Sequence, residues 1–244
     1  MQRAIVLLFI VVVSVCTGTA GASSEVVTES ASYQGHIFVD AATGSSSWAN
    51  SATPVVVNDV YSNVTSIANL GISSPELDAQ WGDQCLTTGT GLLSEHDFTI
   101  YNGGFSAGDL LTANVTVTFY DFATNTLIAT YSVAVDFGAG LAPGRYSIVT
   151  VTNLDPQLIN LGVTNVLVIQ TITAKTGAAD RLGVASLNPV TIGSSPDAMY
   201  LSTMGPPGMY NIGPIANPGY RIGVTMAPVP VETKTWGSIK ALYR

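Results

Sequence analysis

The 244-residue sequence is poor in charge, in cysteine and in histidine. Charged residues make up 10% of the chain, and 16 Asp and Glu against 8 Lys and Arg give a formal net charge of −8. This balance argues against a nucleic-acid-binding protein, because such a protein needs a basic surface for the phosphate backbone. Two cysteines and two histidines are few for a disulfide-rich or metal-rich fold. The hydrophobic content of 47% argues against disorder and predicts a packed core.

Residues 1–22 predict a cleavable secretory signal peptide. Arg3 supplies a positive end, residues 4–16 form an apolar run, and Ala20-Gly21-Ala22 offers the small residues that signal peptidase accepts. One alternative is an uncleaved anchor, although the run is shorter than a bilayer crossing requires. The other is a lipoprotein with Cys16 as the lipidated residue. Cleavage near Ala22 predicts a secreted, extracellular or cell-surface protein with no transmembrane anchor in its mature chain.

The rest of the chain is dominated by short β-branched and aromatic runs that end at Gly, Asn, Asp or Pro. The clearest alternation covers 115–120 and 127–135 on either side of a polar connector, which predicts an antiparallel hairpin. No window before the C-terminus keeps a helical period. We therefore expect an all-β fold, an antiparallel two-sheet β-sandwich of jelly-roll or Ig-like type with roughly ten strands. We expect it to form one domain over 30–227, after an N-terminal spacer at 23–29. A division into two domains near Gly138 is the alternative.

No catalytic residue is predicted. The segment Gly104-Phe105-Ser106-Ala107-Gly108 matches the G-x-S-x-G nucleophile elbow, but a strand pattern follows where the elbow needs a helix. His96 lies between Glu95 and Asp97, and we interpret it as part of an exposed polar turn ahead of Phe98. A metal-binding or acid–base role for His96 is the alternative. Cys85 is interpreted as a buried apolar residue. A secreted glycoside hydrolase or another hydrolase stays as a third alternative, because a catalytic carboxylate pair meets only in space.

Aromatic and acidic residues provide two candidate binding sites. An exposed aromatic platform, on which carbohydrate-binding modules stack sugars, has three candidate members: Trp48, Trp81 and Tyr101. A calcium ion would find oxygen ligands on three acidic residues: Glu76, Asp78 and Asp83. The spacing of an EF-hand loop is absent from the sequence. Apart from this calcium ion, no cofactor is predicted.

The last residues, 228–244, differ in composition from the predicted domain. Pro228-Val229-Pro230-Val231 predicts an extended linker. A short segment rich in basic and aromatic residues follows it. Its residues are predicted to form a sorting or attachment tail: Trp236, Gly237, Ile239, Lys240, Leu242, Tyr243 and Arg244. The alternative is a C-terminal element that docks on the sandwich.

Three stretches occur in order along the chain: Trp81-Gly82-Asp83-Gln84 followed by Leu86 and Gly89, then 117–121, then 188–197. Over roughly 61–224 this order resembles secreted bacterial β-sandwich proteins of the PEP-CTERM and choice-of-anchor kind. In that family a signal peptide and one sandwich precede a short C-terminal sorting or anchoring segment. The Trp236-Gly237-x-x-Lys240 tail is atypical for it, since no apolar span follows the prolines.

The resemblance implies an exported, non-enzymatic cell-surface or extracellular-matrix protein whose C-terminal tail acts in sorting or attachment. Expected partners are cell-envelope or exopolysaccharide components and a sorting or export system that recognises the C-terminus. The alternative function is that of a carbohydrate-binding module that uses exposed aromatic residues.

Overall fold

The computed structural model describes residues 26–48, 57–66, 68–154, 157, 159–212 and 217–225. These residues form an all-β fold, which confirms the predicted class. The predicted signal peptide and the predicted C-terminal tail lie outside the described residues. The strands, in chain order, are β1 Val27–Glu29, β2 Ser32–Asp40, β3 Ser46–Trp48, β4 Asn58–Ser62, β5 Ala68–Ser74, β6 Gln80–Leu86, β7 Gly91–Asn102, β8 Leu110–Asp121, β9 Thr126–Leu141, β10 Arg145–Thr152, β11 Asn160–Leu161, β12 Asn165–Gly177, β13 Leu182–Leu187, β14 Met199–Leu201, β15 Gly208–Tyr210 and β16 Tyr220–Thr225.

The strands form two sheets. The larger sheet has the order β1-β5-β13-β7-β10-β2-β3, with β11 and β16 also paired to β7 and β4 paired to β16. The smaller sheet has the order β15-β14-β6-β12-β8-β9. Among the described residues all strand pairs are antiparallel except β2 with β10, which departs from the wholly antiparallel prediction. The described residues form sixteen strands where roughly ten were expected, because several strands of two or three residues are too short to show a sequence pattern.

The predicted hairpin is formed by β8 and β9. Val115 pairs with Val133, and the side chains of Val115, Val117 and Phe119 are buried, as the alternation predicts. The opposite face carries threonines, where Thr116 hydrogen-bonds to Ser132 at 2.8 Å. One face of this hairpin therefore packs on the core and the other meets solvent.

The main apolar core lies between the two sheets. Ile37, Phe98 and Val149 of the large sheet belong to the same buried cluster as Val117 and Val168 of the small sheet. The two sheets therefore pack face to face, as in a β-sandwich. In contrast to β9, the central strands β7 and β10 are buried on both of their faces. On the outer face of these strands, Tyr101, Tyr146 and Ile148 belong to a second buried cluster, on which Val64 packs.

Three residues of the predicted N-terminal spacer form a strand of the large sheet. Val27 to Glu29 form β1, which pairs with Gly71 to Ser73 of β5. The adjacent Val26 packs on a smaller buried cluster that contains Ile72 and Trp81. A segment this short pairs because the exposed edge of β5 leaves main-chain groups for it to bind.

Candidate binding cleft

A row of side chains crosses the outer face of the large sheet. The register pairs Arg221 of β16 with Asp97 of β7, Asp97 with Thr150 of β10, and Thr150 with Phe38 of β2. Residues that face each other across neighbouring strands point to the same side of a sheet. The alternate residues of these strands, such as Phe98 and Val149, belong to the inner core. The strand order thus brings together four residues that are far apart in the sequence.

This row forms the floor of a cleft of about 600 Å³. The chain segments around 62–65 and 191–192 form a wall, and they are held together because the backbone N–H groups of Thr191 and Ile192 donate to the Ser62 carbonyl oxygen. Besides the row itself, six polar and three apolar residues line the cleft. The polar residues are His36, Asp59, Ser62, Thr65, Glu95 and Thr191, and the apolar residues are Val64, Ile148 and Ile192. The cleft is therefore amphipathic and has the size of a small-molecule site.

Arg221 is the centre of the charged part of the cleft. Its Nε donates to Asp59 Oδ1 at 2.8 Å, and its Nη1 donates to Glu95 Oε2 at 2.9 Å. The same Nη1 lies 3.5 Å from Asp97 Oδ1. Arg221 keeps 19% of its side chain exposed, whereas Asp97 keeps 4%. One guanidinium therefore orients three carboxylates from two strands.

Burial and charge oppose each other at this site. Burial raises the pKa of Asp97 to about 6, although the Arg221 charge and a hydrogen bond with Thr150 lower it. Burial lowers the pKa of the Arg221 guanidinium, but its carboxylate partners outweigh burial and raise that pKa above its usual value. Arg221 is accordingly charged at every ordinary pH, while Asp97 takes up a proton under mildly acidic conditions.

His36 extends the polar network toward the aromatic side of the cleft. Its Nε2 lies 2.6 Å from Thr150 Oγ1, and its ring stacks on Phe38 with centroids 4.6 Å apart. Burial, followed by the positive charge of Arg221, lowers the pKa of His36. The imidazole is therefore neutral at pH 7 and offers a flat ring surface beside Phe38.

The aromatic platform predicted from the sequence does not form. Trp81 is 1% exposed and packs with Ile72, and Tyr101 is fully buried. Trp48 keeps 40% exposure at the end of β3, where its ring lies so close to Gly35 that a Cβ there would overlap it. The prediction was wrong for Trp81 because its side chain lies in a buried cluster with residues of both sheets, such as Val184 and Leu201. It was wrong for Tyr101 because both faces of β7 are covered.

The three predicted calcium ligands are not brought together either. Glu76 and Asp78 lie exposed in the loop between β5 and β6, whereas Asp83 is buried in β6. Among the residues that the structure describes, no group of three or more His, Cys, Asp or Glu side chains is arranged to hold a metal ion. The proximity of the three residues in the sequence is therefore not proximity of their carboxylates.

Asp83 instead belongs to a buried hydrogen-bonded group, here called the Asp83 cluster, with Tyr61 and Ser195. Tyr61 Oη donates to Asp83 Oδ2 at 2.8 Å, and Ser195 Oγ donates to Asp83 Oδ1 at 2.6 Å. Burial raises the pKa of Asp83 to about 7, and the two hydroxyl donors lower it in part. Cys85, two residues further along β6, is buried as predicted.

His96 is not part of an exposed turn, and the sequence interpretation of this segment was wrong. It lies within β7, fully buried, with its ring 5.3 Å from that of Phe119 and 5.7 Å from that of Tyr220. Its Nδ1 lies 2.6 Å from Tyr131 Oη, and burial lowers the pKa of His96 to about 3. Glu95 and Asp97 point to the opposite, outer face, where they line the cleft.

The G-x-S-x-G segment lies in the turn between β7 and β8, where Ser106 Oγ donates to the Arg181 carbonyl oxygen.

Comparison of the sequence with known protein families, with curated proteins and with solved structures found no match. The resemblance to the PEP-CTERM and choice-of-anchor kind therefore stays a prediction. The described part of the chain contains no helix with the length and apolar content that a membrane crossing requires.

Proposed function

We propose that this protein is an exported, non-enzymatic β-sandwich protein of a cell surface or extracellular matrix, and that its cleft binds a polysaccharide. The observation that carries the binding role is the cleft on the outer face of the large sheet. Its volume of about 600 Å³ accommodates a few sugar units. The sandwich type, jelly-roll or Ig-like, stays a prediction.

The lining suits a sugar because a sugar ring combines apolar C–H faces with a rim of hydroxyls. Phe38, Ile148 and Val64 offer apolar surface, and Thr65 and Thr191 offer hydroxyl groups. Carboxylates and a guanidinium are the side chains that hydrogen-bond most strongly to neutral hydroxyls. Because Arg221 already holds its carboxylates in place, binding costs little side-chain ordering.

The arrangement of the carboxylates favours binding over hydrolysis. Glu95 and Asp97 extend from one strand and contact the same nitrogen of Arg221. A glycoside hydrolase instead needs its two carboxyl groups on opposite sides of the bond that is cleaved. The raised pKa of Asp97, about 6, favours the hydrolase as a second candidate, since a general acid must carry a proton at the working pH and Asp97 carries one under mildly acidic conditions.

The binding role is tested with the purified protein on a panel of soluble extracellular polysaccharides by isothermal titration calorimetry. Thr65 lies exposed in the cleft wall, so Thr65→Trp fills the cleft and lowers affinity by about tenfold or more. Thr173→Trp, on the exposed face of β12 in the other sheet, is the matched control and leaves affinity unchanged. Equal loss in both variants, or no binding across the panel, overturns the proposal. Release of reducing ends that Asp97→Asn abolishes would establish the hydrolase instead.

The tail over 234–244 is proposed to act in sorting or attachment. Support comes from its composition, since three basic residues, Lys234, Lys240 and Arg244, follow a proline-containing linker in a chain with few bases. The test is deletion of 234–244 followed by fractionation of the producing cells. We expect loss of the protein from the cell surface or matrix, and an unchanged distribution contradicts the sorting role.

A further inference from the structure

We propose that the cleft selects polysaccharides that carry free amino groups, an inference that rests on the proposed saccharide binding. The first step is the balance of charge in the cleft. Asp59, Glu95 and Asp97 face a single guanidinium, that of Arg221. His36 adds a neutral imidazole at pH 7, because its pKa is lowered. The lining thus has an excess of negative charge, which a cationic ligand offsets.

The second step is the hydrogen-bonding capacity of the carboxylates. A carboxylate accepts about four hydrogen bonds through its two oxygens. Arg221 donates to one oxygen of Asp59 and to one oxygen of Glu95. An ammonium group has three donors and no acceptor, so it matches acceptors of this kind. Asp59 is 30% exposed and Glu95 10%, which makes Asp59 the carboxylate that a ligand from solvent reaches first.

The third step is the surface beside the charges. The stacked rings of His36 and Phe38 line the same cleft as the carboxylates. The face of an aromatic ring attracts a cation, most strongly where water is partly displaced. A concave site also screens a charge pair less than an open surface does. An N-acetyl group removes the positive charge and adds bulk, and a carboxylated sugar is repelled.

The probes are two oligosaccharides of equal length with the same backbone: oligomers of β-1,4-linked glucosamine and their fully N-acetylated counterparts. Affinity is measured by calorimetry at about pH 6, where the amines are charged and Asp97, with a pKa of about 6, keeps about half of its charge. We expect the free amine to bind about tenfold more tightly or better. Sodium chloride is expected to weaken binding of the amine and to leave that of the acetylated oligomer nearly constant.

Asp59→Asn removes one of the charges at nearly constant shape and is expected to reduce the preference for the amine to about threefold or less. Glu76→Gln removes an exposed carboxylate outside the cleft and keeps the full preference. Equal affinity for the two oligomers overturns amine selection while polysaccharide binding stands. Amine selection is overturned in the same way if neither oligomer binds but another polysaccharide of the panel does. Absence of binding to every polysaccharide overturns the proposed function itself.

Discussion

The cleft and the Asp83 cluster each hold a carboxylate that is almost fully buried, and they stabilise it by different means. In the cleft, Asp97 lies beside the guanidinium of Arg221. In the Asp83 cluster, the partners of Asp83 are the neutral hydroxyls of Tyr61 and Ser195, and among the described residues no cation forms an ion pair with it. Burial raises the pKa of Asp97 to about 6 and that of Asp83 to about 7.

Because of this difference, the buried carboxylate of the cleft retains more of its charge at neutral pH than the carboxylate of the Asp83 cluster does. A hydroxyl donor weakens the cost of burying a carboxylate but supplies no opposite charge. At pH 7 Asp97 is mostly ionised, whereas about half of the Asp83 side chains carry a proton. The open cleft thus keeps its negative groups available to a ligand. The closed Asp83 cluster acts within the fold, where it joins β6 to the loop that contains Ser195.

The largest effect is expected when Arg221, the cation that pairs with the carboxylates of the cleft, is removed. Arg221→Met leaves Asp97 and Glu95 buried without their partner, which is the costly way to disrupt a buried ion pair. We expect the free energy of unfolding, measured in urea at pH 7.5, to fall by about 3 kcal/mol. Arg145→Met removes an exposed arginine of the same sheet and should change it by less than about 0.5 kcal/mol. Similar losses in both variants would show that the carboxylates do not depend on Arg221.

The second test of this comparison removes the charge of Asp83, the buried carboxylate whose hydrogen-bond partners are neutral. The folded-state pKa of Asp83 is about 7 and the unfolded value is near 3.9, so the stability from this group is present at low pH and is lost as pH rises toward 7. The Asp83→Asn variant does not lose this stability as pH rises, because asparagine does not ionise. Its free energy of unfolding relative to the natural protein should therefore increase by about 2 kcal/mol between about pH 5 and pH 8.

Asp197→Asn is the control for this pH series, because Asp197 is exposed in the same loop as Ser195. Its difference from the natural protein should vary by less than about 0.5 kcal/mol over the same range. A pH-independent difference for Asp83→Asn would mean that Asp83 is ionised throughout and that its hydroxyl partners are sufficient.

The sequence predicts best the strands that have one buried face and one solvent-exposed face. In β8 and β9, buried Val115, Val117 and Phe119 alternate with threonines, so both the hairpin and its buried face can be predicted from the residues. In β7 the same reasoning failed. Both faces are covered there, and Glu95-His96-Asp97 contains only polar residues, which is typical of a turn. The alternation of Asp97, Thr99 and Tyr101 with Phe98 and Ile100 was the available signal, had it been extended back to Glu95.

The residues that line the cleft could not be predicted from the sequence, for a different reason. Its charged residues come from β4, β7 and β16, and these strands become neighbours only through the order of the large sheet. Asp59 and Arg221 are separated by most of the chain, so no local spacing indicates that they form an ion pair. The Asp83 cluster joins β6 to a loop more than a hundred residues later for the same topological reason.

A third way to sharpen the comparison uses His96, which lies next to Asp97 in the chain but on the inner face. Its Nδ1 lies within hydrogen-bond distance of Tyr131 Oη, whereas its Nε2 has no hydrogen-bond partner among the described residues. Burial lowers the pKa of His96 to about 3, so the unfolded chain binds its proton first and the native state loses stability as pH falls below 6.5. The opposite sign distinguishes this group from Asp83.

The variant for this test is the double substitution His96→Phe with Tyr131→Phe, which removes both hydrogen-bonding partners and leaves no buried polar atom behind. Between about pH 7 and pH 5, the natural protein should lose about 1.5 kcal/mol more than the double variant. Tyr131→Phe alone, which retains the imidazole, serves as the control and should keep the acid sensitivity. Parallel pH profiles of the natural protein and the double variant would contradict a neutral, buried His96.

The smallest expected effect concerns the hydrogen bond that links Ser195 to Asp83. A hydrogen bond to a charged acceptor contributes more than one to a neutral acceptor, so Ser195→Ala should cost about 1 kcal/mol above pH 7 and less near pH 5, where Asp83 is protonated. The loss of this donor also raises the pKa of Asp83 further, which acts in the same direction. Ser194→Ala, at an exposed position of the same loop, controls for the loop itself and should be neutral at both values of pH. An effect of Ser195→Ala that is equal at both values would show that the hydroxyl supports the loop and not the carboxylate, because only a bond to the carboxylate depends on its charge.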